Sequence, residues 1–198
     1  MEAMIKKFQQ RFRKVREEMN RWDELQSLFV LQFRNASSII ERLQALQDSK
    51  NYGNLNGVSG IKDAVLMKQM ESLQNIFLSM AKTLEEFHGI TLSLGKIHRD
   101  GRQMVKGGTN RLTEKQLQLR IGIKPTLAYC LDGLMTLHEM YQSEYNLKVS
   151  LFSALSAVTL KPNLGDLNAI QQFLVDQPNI PMEEVQFMFD IIFAEDTT

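Results

Sequence analysis

Apolar residues recur at alternating steps of three and four along the first quarter of the chain. From Ile5 the register runs through Phe8, Phe12, Val15, Met19, Trp22, Gln26, Phe29, Phe33, Ala36, Ile40 and Leu43, and only Gln26 is polar. Six consecutive heptads on one seam are the pattern of a coiled coil, more than one surface helix of a compact domain needs. The repeat predicts a helix over residues 4–48, about 65 Å long at ~1.5 Å per residue.

A loop rich in Gly and Asn follows at 49–60. The repeat then restarts at Leu66, Met70, Leu73, Phe77, Met80, Leu84, Phe87, Thr91, Leu94 and His98, which predicts a second helix over 60–100 with Ser59 as its cap. Asp100-Gly101 and Gly107-Gly108 interrupt the pattern and leave a flexible linker over 100–124. Inside it, Thr113-Glu-Lys-Gln116 has the spacing of a capping box for a short helix. Pro125 suits the first position of a third long helix over 125–160. That helix carries two stripes. One holds Leu127, Leu131, Leu134, His138, Tyr141, Tyr145, Lys148, Phe152 and Leu155; the other holds Cys130, Leu137, Leu147, Leu151, Ala154 and Val158. Burial on two sides makes it the central helix. Pro162, Gly165, Pro178 and Pro181 then divide the remainder into short helices over 166–176 and 181–194.

The expected fold is all-α: an elongated antiparallel bundle or coiled coil of three long helices with short C-terminal helices. The expected division is a long-helix body over 1–161 and an acidic segment over 162–198. At 198 residues the chain has room for one ordinary domain. One Cys excludes an internal disulfide and a Cys-rich zinc site. The longest run without a charge, Val149 to Leu160, is too short to span a bilayer.

Charge adds an asymmetry that the formal net charge of zero conceals. Residues 1–21 hold seven basic side chains against three acidic ones, and residues 94–124 hold eight against two. Residues 162–198 hold seven acidic and no basic ones. Blocks of opposite sign imply either separate partners or an acidic tail folded back on a basic body. The basic N-terminus resembles a presequence, but Glu17, Glu18 and the unbroken heptads argue against a targeting segment.

Catalytic and metal patterns fare poorly. Glu85-Glu86-Phe87-His88 has one Glu-x-x-His spacing of a di-metal bundle, but the second copy is missing, since Met135 and Gly95 stand three before His138 and His98. Cys130 lies in an apolar stretch and reads as buried and inert. Nucleophile-elbow, Walker and dinucleotide fingerprints are absent, and Lys106-Gly-Gly-Thr109 lacks the spacing of a phosphate loop. No enzyme, cofactor or metal site is expected. Phe8 and Phe12 lie on the seam, so they are not free to stack on bases. The basic stretch, with Arg99, Arg102, Lys106 and Arg111, is the better candidate for contact with phosphate or an acidic surface.

Several segments resemble a known family. They are Pro125-Thr126, the run Tyr141 to Tyr145-Asn-Leu147-Lys148, the Ser/Leu-rich stretch Ser150 to Leu155, and Gly165-Asp166-Leu167-Asn-Ala-Ile170-Gln171 before a short apolar-acidic helix. With the N-terminal heptads, they are similar to the small helical ribosome-maturation factors that interact with a type II AAA ATPase, a family shared by plants and animals, and the chain looks closest to its plant members. The resemblance implies a non-enzymatic adaptor, cytoplasmic or nuclear, partnered by that ATPase and a second small coiled-coil subunit. It implies service in large-subunit maturation, where shuttling factors are released, and indirect contact with pre-ribosomal particles. It implies neither a membrane nor sequence-specific nucleic-acid binding. On this reading Phe12, Trp22, Phe29 and Phe33 face a partner along the seam, the alternative being that they fill an intramolecular three-helix bundle, and Val185, Phe189 and Ile192 dock either in a partner's groove or on the bundle's own end. The competing reading is a free-standing structural or tethering coiled coil with no ATPase.

Overall fold

A computed structural model describes residues 2–107, 112–120, 122–159 and 164–194, apart from the side chain of Leu164. Among these residues the regular structure is entirely helical: α1 (Glu2–Gln47), a 3-10 segment (Ser49–Gly57), α2 (Ile61–Lys106), α3 (Glu114–Leu117), α4 (Leu127–Val158), α5 (Leu164–Asp176) and α6 (Met182–Ile192). The all-α expectation holds, with three long helices and two short ones after them.

The departures lie at the helix ends, and each has a local cause. The first loop is a 3-10 segment because Asp48 accepts from the Lys50 amide at 3.0 Å and the Tyr52 hydroxyl donates to the Leu46 carbonyl at 3.0 Å. Gly60, at φ 77°, rather than Ser59, precedes α2, and its carbonyl accepts from the Ala64 amide at 3.0 Å. The second helix does not stop at Asp100-Gly101. A β-carbon at Gly101 would lie 3.1 Å from Leu134 Cδ1 and 3.3 Å from Phe8 Cε1, so this glycine serves close packing and the helix continues to Lys106. The Thr113–Gln116 capping box forms, but its helix lasts only four residues. Thr126 caps α4, its hydroxyl accepting from the Tyr129 amide at 3.0 Å, so Pro125 lies before the cap and not at the first helical position.

The chain forms two compact units: Met1–Asp23, Phe87–Asn146 and Gln177–Thr198 in the first, Glu24–Glu86 and Leu147–Asp176 in the second. The acidic segment is therefore shared out, α5 to the second unit and α6 to the first. In the first unit the helix crossings are tight. A β-carbon at Gly133 of α4 would lie 2.9 Å from Met188 of α6 and 3.2 Å from Phe12 of α1. Ser93 donates to Glu18 at 2.6 Å and sets α1 against α2. In the second unit Gln32 donates to Ser79 at 2.8 Å and accepts from Thr83 at 3.1 Å. No helix among the described residues is long and apolar enough to cross a membrane.

Candidate interaction surfaces

The seam expected to face a partner is covered by the chain itself. Phe12, Trp22 and Phe29 are 0% exposed and Phe33 is 1% exposed. In the first unit Trp22 meets Phe87 at 4.4 Å and Tyr141 at 4.9 Å, both edge-on, the geometry that aromatic quadrupoles favour. Its indole donates to Gln177 Oε1 at 2.8 Å. Val185, Phe189 and Ile192 are buried as well. Phe189 packs edge-on against Phe12 at 5.6 Å, Arg16 lies 4.6 Å over the Phe189 ring, and Gln9 donates to the Ile192 carbonyl at 3.0 Å. Thus the acidic helix folds back on the basic N-terminal helix inside this unit. All seven of these side chains are buried within the chain's own fold. With three long apolar stripes in one chain, intramolecular closure removes from water the surface that a partner would otherwise have covered.

A different apolar face stays open, in the second unit. Met67, Met70, Glu71, Gln74, Phe77, Leu78 and Ala81 recur along α2 at i, i+3, i+4, i+7, i+10, i+11 and i+14, one continuous helix face. With Phe152, Ser156 and Thr159 they line a groove of about 640 Å³. Phe77 and Phe152 form its floor, edge-on at 5.8 Å. Met67 is 71% exposed, Leu78 63% and Met70 51%. Large, exposed, Met-rich grooves mark protein docking sites, because the flexible thioether adapts to its occupant. Sequence reasoning found Met70 and Phe77 on the restarted repeat but passed over Met67 and Leu78. The signal was present as a second apolar stripe on α2, of the kind read on α4.

The basic stretch is the third surface, in the first unit. Arg99, Arg102 and Lys106 are exposed on α2, and Arg111 lies outside the described residues. A β-carbon at Gly95 would lie 2.9 Å from His138 Nε2 and 3.4 Å from Arg99 Nη1, so the imidazole rests on the helix backbone beside the guanidinium. Burial, then the Arg102 charge and His138, hold the His98 imidazole below its ordinary pKa. Elsewhere in this unit, His88 stacks on Tyr145 at 5.1 Å. Burial pushes the Cys130 thiol up to about 12, which leaves it protonated and unreactive at neutral pH.

The family described as "Ribosome biogenesis protein C1orf109-like" matches residues 2–197. The chain belongs to that family. No curated protein sequence matches it. The match covers all of α1 to α6, so membership applies to both units of the chain. The ribosome-maturation resemblance read from the sequence is thereby shown, and a role in ribosome biogenesis follows from the family.

Proposed function

We propose that the protein is a non-enzymatic adaptor subunit of an AAA ATPase assembly acting in large ribosomal subunit maturation. On this proposal the α2–α4 groove takes an amphipathic helix of the second small coiled-coil subunit. The observation that carries it is the stripe Met67, Met70, Phe77 and Leu78, apolar at helix-facing spacing over about three turns, with Met67, Met70 and Leu78 exposed while the α1 seam is covered. A groove of this kind is read by an amphipathic helix with anchors at i, i+3 or i+4, and i+7. The resemblance to factors that interact with a type II AAA ATPase supplies the partner class, and family membership supplies the process. Release of shuttling factors would then be powered by the ATPase, with this chain as a recruiting part.

The test is a pull-down of the tagged full chain from native extract, with salt raised in steps and bound proteins identified by mass spectrometry. Recovery of a two-ring AAA ATPase and a second small helical protein, retained at high salt, is the expected result, because an apolar contact is not screened. Recovery of cytoskeletal or tethering proteins without an ATPase would instead favour the structural coiled-coil reading.

A further inference from the structure

Lys96, Arg99, Arg102 and Lys106 are all exposed and stand on one arc of α2, three or four residues apart. They spread over about 15 Å at ~1.5 Å per residue. The cationic spacing, one per ~5 Å, approaches the ~3.4 Å charge spacing along a nucleic-acid strand. His138 of α4 borders this arc, against Gly95 and Arg99. On its other side Arg11 and Lys14 of α1 line shallow depressions with Asp100, Gln103 and Ile97 of α2. Carboxylates near the arc include Asp100, Glu139, which lies near His98, and Glu18, which accepts from Ser93. The ion pairs seen between Arg21 and Glu18 and between Lys124 and Glu2 use none of these six cations.

We infer that this face binds the phosphate backbone of RNA without reading its sequence. One observation separates RNA from an acidic protein as the partner. A protein interface has an apolar centre and is depleted in Lys. On α2 no large apolar side chain is more than partly exposed between Leu92 and the end of the helix at Lys106, where Ile97 and Met104 line the depressions beside the arc. Cations without an apolar centre are the footprint of phosphate contact, which needs charge and no shape. The surroundings fit, since the family's process is ribosome assembly and RNA forms much of that particle's surface. Base reading is not served by Phe8, which packs against Gly101 of α2 and is wholly buried. The inference rests on family membership and charge geometry, and it stands whether or not an ATPase partners the chain.

The experiment is fluorescence anisotropy with the full chain and a labelled 30-nucleotide RNA of mixed sequence, repeated with a second unrelated sequence, from 50 to 200 mM salt. Both RNAs are expected to bind alike, with a slope of log affinity on log salt of about −2 to −3, as for three or four phosphates at ~0.7 each. R99E/R102E/K106E should weaken binding at least ten-fold and flatten the slope by about 2. K50E/K68E/K82E makes the same charge change at exposed positions of the second unit and should leave binding unchanged. Helicity and melting verify both variants, and R99Q/R102Q/K106Q replaces the first if it fails to fold. No binding at 50 mM salt, equal weakening by both triple variants, or a flat salt response overturns the inference. Tighter binding of a polyglutamate peptide of equal charge also overturns it and assigns the face to an acidic protein.

Discussion

Lys148 Nζ donates a 2.7 Å hydrogen bond to Gln26 Oε1 inside the second unit. Gln26 is the single polar member of the α1 heptad seam and Lys148 the single Lys or Arg in the first α4 stripe. Lys148 is 0% exposed, and the Gln26 amide also donates to the Leu174 carbonyl of α5. Each interruption of the apolar pattern is thus answered by the other, and the pair fixes one register between helices that apolar contacts alone would let slide.

Removing one member leaves the other buried and under-satisfied. Q26L should cost about 2–4 kcal/mol of stability, while Q26L/K148M should recover most of that loss, because an apolar pair of similar volume needs no hydrogen bond. Chemical denaturation of the four proteins of the cycle measures the coupling, expected at about 1–3 kcal/mol. Simple additivity would contradict the register role.

Trp22 is tied in a second way. Its acceptor, Gln177, sits at φ 45°, a backbone conformation uncommon for a residue with a side chain. Q177A keeps the strain and loses the acceptor, so it should cost about 1–3 kcal/mol. Q177G loses the acceptor but relieves the strain, and its melting temperature should lie above that of Q177A. The reverse order would show that the left-handed backbone at Gln177 carries no strain.

The covered seam and the open groove predict opposite behaviour on substitution. F12A/F29A removes two wholly buried rings and should cost about 3–5 kcal/mol for each. It should abolish cooperative melting rather than selectively weaken a partner. M67S/L78S alters exposed side chains and should leave helicity and melting within about 0.5 kcal/mol of the parent. Circular dichroism melts of the two variants decide the matter.

His98 introduces a pH dependence. Its pKa is lowered in the folded chain by burial, with Arg102 and His138 adding to the effect. The unfolded chain, with an ordinary value near ~6.5, therefore binds the proton first, and stability falls as pH drops below about 6.5. The melting temperature should decline between about pH 7.5 and 5.5, and H98Q should flatten that decline. An unchanged slope in H98Q would assign the dependence to another group.

Element type was readable because six heptads in α1 and the two stripes of α4 leave no alternative to helix. Two kinds of information were not. Gly101 reads as a breaker locally, and only the approach of Leu134 and Phe8 shows why a glycine stands inside α2. Likewise Phe12, Trp22, Phe29 and Phe33 have the same periodicity whether a partner or the chain itself covers them. Periodicity states that a face is buried and says nothing of what buries it. The open groove was missed because Met67 and Leu78 lie beside the seam that carried the repeat. Arg99, Arg102 and Lys106 were identified from charge alone, since exposed cations need no tertiary context to be found.

The central claim is that this ribosome biogenesis protein recruits its partners through the α2–α4 groove and not through the heptad seam. The direct test is the native-extract pull-down repeated with M70D/L78D and with R99E/R102E/K106E, after both are shown to melt as the parent does. The account predicts that the parent and the arginine variant recover an AAA ATPase and a second small helical subunit at high salt, while M70D/L78D recovers neither. Equal recovery by M70D/L78D, or no ATPase with the parent, would contradict it.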